Sequence, residues 1–307
     1  MLVTVPSNSA VDGLAVRLLR AGLPSEHLLR VNAFTRSQAD MPAEMRAAAV
    51  ARRGAGGFYC QMRAPSRARL VAATCSTAQR LIRTLLLGGG GRGGGGGLFH
   101  HIIVDEAGQC TEPKTLCTVS GGLRRGGRVV LAGDPRQLGS VLHSDLARAH
   151  GLGASTLERL MRNGAHSAAE GSGGDPCRPL GYHPAYCTML TVYYHSHPAL
   201  IAVPNALFYG GALQAAGDGG GALFRCATGP ALRFLCGAPG GFSLLVHGVR
   251  GRDLQEGSSP SFFNPEEAVA AVAHVASVLA HARKRGLSLS PKDCGIVTPY
   301  HKQAVKF

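Results

Sequence analysis

Short apolar runs alternate with helix-period stretches along the first half of the chain. Leu2–Val5, Arg69–Thr74, His101–Asp105 and Arg128–Ala132 are compact and rich in β-branched residues, and polar residues or glycine follow them. That pattern predicts buried strands. Between them, Ala10–Ala21 places Leu14, Leu18 and Leu19 on one face and stops at Gly22, and Ser76–Leu87 keeps the helical period. Both predict helices. Strands alternating with helices make βαβ units and a parallel sheet, so the predicted fold class is α/β. In the second half, Leu190–Tyr193, Leu232–Leu235, Leu244–His247 and Cys294–Thr298 predict short strands, and Pro198–Leu207 a helix. Asn264-Pro265-Glu266-Glu267 supplies a cap residue, a proline at the first helical position and acids facing the dipole. The predicted helix runs to about Arg285, with Ala268, Val269, Val272, Val275, Ala276 and Leu279 at core spacing.

Composition changes this picture in three places. Glycine accounts for 43 of 307 residues, and much of it lies in tracts such as 88–97, a flexible insertion with no core of its own. No Lys-Ser or Lys-Thr follows that tract, so it is not a phosphate-cradling loop. The Gly-, Ser-, Pro- and Asp-rich stretch 167–184 predicts a linker or excursion. Basic residues exceed acidic ones by 32 to 18, a formal charge of +14, and nearly all of the excess is arginine. Such a surplus favours a polyanionic partner, although a GC-rich coding sequence raises Arg, Gly and Ala together as well. Cysteine occurs 9 times, an odd number with no Cys-x-x-Cys pair. Cys177, His183 and Cys187 match no standard zinc spacing, which predicts free thiols in a reducing compartment. No apolar run approaches the ~20 residues of a bilayer span, and the first residues lack a basic leader region. The expectation is a soluble intracellular protein.

The chemistry concentrates at strand ends. His101–Val104 delivers Asp105 and Glu106 to the C-terminal edge of a strand, where open α/β sheets bind ligands. In nucleoside triphosphatases one such acid holds Mg²⁺ and the other polarises the attacking water. An acidic turn after a core strand would look the same in isolation. However, Val129–Ala132 also ends in a polar run, Gly133-Asp134-Pro135-Arg136-Gln137. Gln137 is a neutral donor and acceptor, suited to touching both a γ-phosphate and a water. His195-x-His197 could be read as a metal pair, but no third ligand is in view.

Val104–Cys110, Leu131–Gly139, Tyr194-His195-Ser196-His197-Pro198 and Pro204-Asn205 resemble motifs of the superfamily 1 RNA helicases. Asp105–Pro113, and His247-Gly248-Val249 followed by Glu256–Glu267, are similar to the Armitage/silencing-defective branch, the Moloney leukaemia virus ten-like proteins. The resemblance covers Val3 to Phe307 apart from the glycine insertions. It implies two RecA-like lobes with parallel sheets, of the P-loop nucleoside triphosphatase type and both incomplete. Residues 1–180 would form lobe 1, with 88–97 as a Gly-rich insertion, and residues 185–307 lobe 2. It implies ATP and Mg²⁺ as cofactors, single-stranded RNA as partner, and hydrolysis coupled to 5′-to-3′ translocation. A role in RNA silencing or turnover also follows, with silencing proteins as partners, a monomeric state, no membrane, and a cytoplasmic setting that extends to ribonucleoprotein granules.

By the same resemblance, Asp105 is similar to the Mg²⁺ carboxylate and Glu106 to the catalytic base. Asp134 and Gln137 resemble γ-phosphate sensors, and Tyr194 an aromatic that stacks on adenine. Pro6, Ser7 and Asn8 resemble a loop on RNA phosphates; polar donors at a helix start suit an anion, although an ordinary helix cap has the same composition. Thr74 and Thr77 resemble a second RNA-backbone element, and Pro299 and Tyr300, after Thr298, its counterpart in the other lobe.

Three positions depart from the pattern. His195 stands where the family has an arginine directed at the γ-phosphate, and Ser140 follows Gly139 where relatives have proline. No G-x-x-x-x-G-K-[ST] occurs in the 307 residues, nor any Gly-Lys pair. The resemblance therefore implies an internal portion of a longer helicase, without the phosphate-binding loop and the last motifs. The alternatives are an inactive RNA-binding scaffold or degenerate copy, and a DNA helicase of the same superfamily.

Overall fold

The parallel strands predicted in the first half come together in one sheet. The computed structural model describes residues 1–32, 36, 41–48, 68–87, 97–162, 185–194, 198–216, 244–284 and 286–307. The predicted strand Leu232–Leu235, most of the glycine tract and the whole 167–184 excursion lie outside them, as do His195 and His197. The chain divides into two units, Met1–Gly173 with Gly181–Cys187, and Gly174–Leu180 with Thr188–Phe307.

The first unit holds β1 (Leu2–Val5), α1 (Asn8–Arg20), β2 (Leu28–Val31), α2 (Ala43–Ala48), β3 (Leu70–Thr74), α3 (Cys75–Leu87), β4 (Phe99–Val104), α4 (Glu112–Gly122), β5 (Leu123–Leu131), α5 (Asp145–Ala149) and α6 (Thr156–Arg162). Its five strands are parallel, in the order β2-β3-β1-β4-β5. Successive side chains of β1 go to opposite faces. Leu2 joins Ala78, Leu81, Ile82, Ile102 and Val104 in one core layer, while Val3 and Val5 join Val11, Ala15, Met45 and Leu70 in the other. Each of the valine, leucine, isoleucine and methionine side chains contributes about 1.5–3 kcal/mol by leaving water.

Local chemistry moves some predicted boundaries. The helix α1 starts two residues early, at Asn8, because the Ser7 hydroxyl accepts the Ala10 N–H at 3.2 Å and serves as N-cap. β5 starts at Leu123 rather than Arg128, because its pairing with β4 jumps from Phe99–Leu123 to His101–Arg128. Gly126, at φ 75°, turns the extra residues outward as a bulge. β2 has no counterpart in the hydrophobic pattern, because Arg30 interrupts its apolar run.

Arg30 is completely buried, and its charge is matched inside the sheet-facing side of α1. Its Nε donates to Asp12 Oδ1 at 2.8 Å, Nη1 to the Val31 carbonyl at 2.6 Å and Nη2 to Asn8 Oδ1 at 3.0 Å. Arg36 also donates to Asp12. Burial alone would push the Asp12 carboxyl up, but the hydrogen bonds from Arg36 and Arg30 outweigh it and hold the group below the usual carboxylate range.

The second unit contains β6 (Val192–Tyr193), α7 (Pro198–Phe208), β7 (Gln214–Ala215), β8 (Leu254–Gln255), β9 (Phe262–Phe263), α8 (Pro265–Lys284) and α9 (His301–Lys306). β6 and β7 pair in parallel, and β8 and β9 form an antiparallel hairpin. Asn264 caps α8 as its sequence predicts, its Oδ1 accepting the Glu267 N–H at 3.1 Å. Two predicted strands, Leu244–His247 and Cys294–Thr298, are unpaired among the described residues. A strand persists through its ladder and its packed face, and here Val246 and Val297 are 85% and 96% exposed. The predicted stripe on α8 is likewise only partly covered: Ala268 is buried, but Val269 and Val272 are exposed, while Ala282, outside the stripe, is buried.

The buried ion cluster sets a stability expectation. Asp12→Ala leaves Arg30 charged and unpaired, and should cost about 3–5 kcal/mol in urea unfolding. Asp145→Ala, which breaks the exposed Arg148 pair, should change little. Because the Asp12 pKa is depressed on folding, its contribution is present above the ordinary carboxylate range and is lost as pH falls through the folded value.

Candidate functional site

Parallel strands present all their C-terminal ends at one edge, and four of those ends carry the residues singled out from the sequence. Val5 lies opposite Thr74, Thr4 opposite Val104, and Val104 opposite Leu131. The segments that follow β1, β3, β4 and β5 therefore leave the sheet side by side. They begin with Pro6, Cys75, Asp105 and Ala132.

The two acidic motifs are locked together through backbone. The Ala132 N–H donates to the Val104 carbonyl, and the Ala107 N–H donates to the Ala132 carbonyl, each at 2.8 Å. The Asp105 N–H reaches across to the Thr4 carbonyl at 2.8 Å. Glycine makes the close approach possible. A β-carbon on Gly133, whose φ is 153°, would lie 2.8 Å from the Ala107 nitrogen; one on Gly108 would lie 2.9 Å from the Asp134 carbonyl oxygen. Each loop thus needs a glycine facing the other.

The chain turns sharply where the carboxylates sit. Glu106 has φ 53° and ψ 40°, a left-handed conformation that no other non-glycine residue shares among the described residues. Such backbone costs about 1–3 kcal/mol and persists where the surroundings enforce it, commonly at functional sites. Asp105 Oδ1 accepts the Glu106 N–H at 3.0 Å, and Glu106 Oε2 accepts from Gln109 Nε2 at 3.0 Å. Both carboxylates are half-buried at the sheet edge. In the neighbouring loop Asp134 accepts the Arg136 N–H at 2.8 Å and Gln137 Nε2 at 2.9 Å. Asp134 therefore shapes the loop that carries Gln137.

The flanking ends are different in character. Ser7 is occupied with capping α1, and the Asn8 side-chain oxygen accepts from the buried Arg30. Thr74 and Thr77 are each 8% exposed, and their hydroxyls bond to each other at 2.9 Å while Thr74 Oγ1 accepts the Thr77 N–H. The threonines fix the start of α3.

In the second unit Tyr194 follows β6 and is 63% exposed. Asn205 ties the end of α7 to β7, its amide exchanging two 2.9 Å hydrogen bonds with the backbone of Leu213. Pro299 and Tyr300 are exposed, and Tyr300 meets Phe262 edge to face at 5.7 Å. Beneath them the buried Gln303 side chain accepts the Asn264 N–H at 2.7 Å and donates to the Asn264 carbonyl at 3.1 Å. Glu256 joins Lys302 and Lys306, whose hydrogen bonds hold its carboxyl below the usual range.

Within the first unit, then, Asp105, Glu106, Asp134 and Gln137 share one interlocked pair of loops, with Pro6–Asn8 and Thr74–Thr77 on the neighbouring strand ends. Tyr194, Pro299 and Tyr300 belong to the other unit. Sequence reasoning did not single out Gln109, Gly108 or Gly133. The signal available was a glycine within four residues of the ends of β4 and β5. Among the described residues no group of three His, Cys, Asp or Glu side chains could hold a metal by themselves.

Two domain families, each described as an AAA domain, match residues 60–145 and 152–307. RNA helicase Mov10l1 is 36% identical over 315 residues in Mus musculus and 37% identical over 318 in Homo sapiens. "Probable RNA helicase armi" of Drosophila melanogaster is 28% identical over 328 residues. These alignments cover 100%, 100% and 99% of this chain, but 24%, 23% and 26% of the relatives. The chain thus spans about a quarter of the length of the curated relatives it matches.

The loop interlock predicts a contrast between glycines. Gly133→Ala should force the loops apart and lower the stability of the first unit by roughly 1–3 kcal/mol in urea unfolding. Gly139→Ala, in open space only six residues on, should be silent.

Proposed function

Because the chain belongs to the AAA-domain helicases, in the Mov10-like and Armitage branch, we propose that it carries the hydrolytic loops of an ATP-dependent motor that moves 5′ to 3′ along single-stranded RNA. The observation that carries this reading is the backbone interlock between the Asp105–Gly108 and Gly133–Gln137 loops at the C-terminal edge of a parallel sheet. Two carboxylates and a neutral amide held on one edge suit phosphoryl transfer, which depends on positioning and charge.

Asp105 fits a Mg²⁺ ion. It is a half-exposed hard oxygen donor, and Mg²⁺ is ordinarily held by one or two carboxylates with phosphates and water completing its shell. When bound, the ion neutralises charge on the transferring phosphate. Glu106 accepts the proton of the attacking water, and Gln109 fixes where its carboxylate sits. The Gln137 amide can donate to a γ-phosphate oxygen and accept from that water. Tyr194 is assigned to stacking on adenine, and at position 195 a histidine offers a phosphate less charge than an arginine would.

RNA contacts then fall to Pro6, Ser7 and Asn8, to the helix start fixed by Thr74 and Thr77, and to Pro299 and Tyr300. Backbone contacts of this kind bind without reading sequence, and stacking adds affinity. A role in RNA silencing or turnover and a cytoplasmic setting are part of this reading.

No Gly-Lys pair occurs in the 307 residues, and ATP affinity in P-loop enzymes comes largely from such a cradle. The 307-residue polypeptide should therefore release no phosphate from ATP with or without poly-uridine. It should still bind single-stranded RNA with an affinity that falls steeply with salt. Robust turnover by it, lost on Asp105→Ala, would contradict the role given to the cradle. In a polypeptide joining these residues to a phosphate-binding loop, Glu106→Gln should lower turnover by about 10²-fold or more and leave nucleotide binding intact. Equal loss of binding and turnover would make Glu106 a structural or metal-binding residue. Silence before any substitution would favour an RNA-binding scaffold.

A further inference from the structure

Two thiols meet in the core of the first unit, behind the acidic loop. Cys75 opens α3 directly after β3, and Cys110 ends the short turn that follows Asp105 and Glu106. They are 35 residues apart in sequence, both are free, and their Sγ atoms lie 3.3 Å apart. Their exposures are 3% and 1%, and they share one cluster with Ala78, Ala107 and Val104. The Thr118 hydroxyl bonds to the Cys75 carbonyl at 3.3 Å and ties the α3 start to α4. A disulfide has sulfurs about 2.05 Å apart, so only a modest side-chain adjustment separates the thiols from a bond.

We propose that Cys75 and Cys110 are a disulfide-forming pair, a redox modification site that ties the start of α3 to the loop carrying Asp105 and Glu106. The two cysteines have unequal roles. The hydrogen bond with Cys110 brings the Cys75 thiol down to about 7, and the helix N-terminus also favours the anion. The same hydrogen bond, with burial, pushes the Cys110 thiol up. With a hydroperoxide as oxidant, the Cys75 thiolate attacks one peroxide oxygen. The O–O bond breaks, and the leaving oxygen takes a proton, as water when the oxidant is hydrogen peroxide. Cys75 becomes a sulfenic acid. The Cys110 sulfur then attacks the Cys75 sulfur; the S–S bond forms, the S–O bond breaks, and the hydroxyl leaves as water with the Cys110 proton. In sum, two thiols are oxidised and one hydrogen peroxide is reduced to two waters. A dithiol reverses the bond by exchange.

The pair reads independently of nucleotide or RNA binding, and so does its test. The whole 307-residue chain is treated with hydrogen peroxide, its remaining thiols are alkylated after denaturation, and its peptides are mapped by mass spectrometry. The expected product is a linked peptide pair containing Cys75 and Cys110, removed by dithiothreitol. It should be absent from Cys75→Ala and Cys110→Ala and retained in Cys117→Ser, which alters an exposed thiol. Should either alanine variant fail to fold, the map of the unmodified chain decides alone. Cys75 and Cys110 recovered alkylated while Cys117 is oxidised, or Cys75 linked to a different cysteine, would overturn the proposal.

Discussion

Close backbone contact between two loops governs the arrangement of the sheet edge. Gly108 and Gly133 each occupy space that a side chain would need, and the Ala107 N–H to Ala132 carbonyl bond closes the contact. The contact has two consequences. It holds Glu106 in a left-handed turn that a glutamate would otherwise avoid. It also places the Asp134 loop, with Gln137 bonded to its own aspartate, beside the carboxylates. The residues with chemistry to offer are therefore set by main-chain packing, which yields less readily than side-chain packing.

The neighbouring strand ends are fixed by buried polar chemistry. Arg30 joins β2 to the start of α1 through Asp12 and Asn8, and Thr74 with Thr77 secures the start of α3. A buried ion pair is not itself a large source of stability, but losing one partner is costly, so such a cluster enforces one arrangement. The second unit uses the reciprocal amide bonds of Gln303 and Asn264 to a similar end, beneath the exposed ring of Tyr300. In both units a buried polar contact underlies a segment assigned to RNA.

The parallel sheet was legible because buried strands leave unbroken apolar runs and end in polar residues; β1, β3 and β4 lie within two residues of their expected bounds. β2 was hidden by Arg30, whose partners are 18 and 22 residues away in sequence. The bulge in β5 depends on how Gly126 and Gly127 fit against β4, which periodicity does not encode. Leu244–His247 and Cys294–Thr298 have strand composition but no described neighbour with which to pair. At the site, the acids and Gln137 could be read from their place at strand ends. The glycine interlock, the Gln109 contact and the meeting of Cys75 with Cys110 join separate segments and became visible only in three dimensions.

On the proposed reading, Glu106 and Gln137 act on one water at one phosphate. A double-mutant cycle on RNA-stimulated ATP turnover tests it most directly, using Glu106→Gln, Gln137→Ala and the pair in a polypeptide that includes a phosphate-binding loop. Residues acting as a unit should be non-additive, with a coupling of about 1 kcal/mol or more and a double variant little slower than the slower single one. Strictly additive losses would place the two side chains in separate roles and contradict the account.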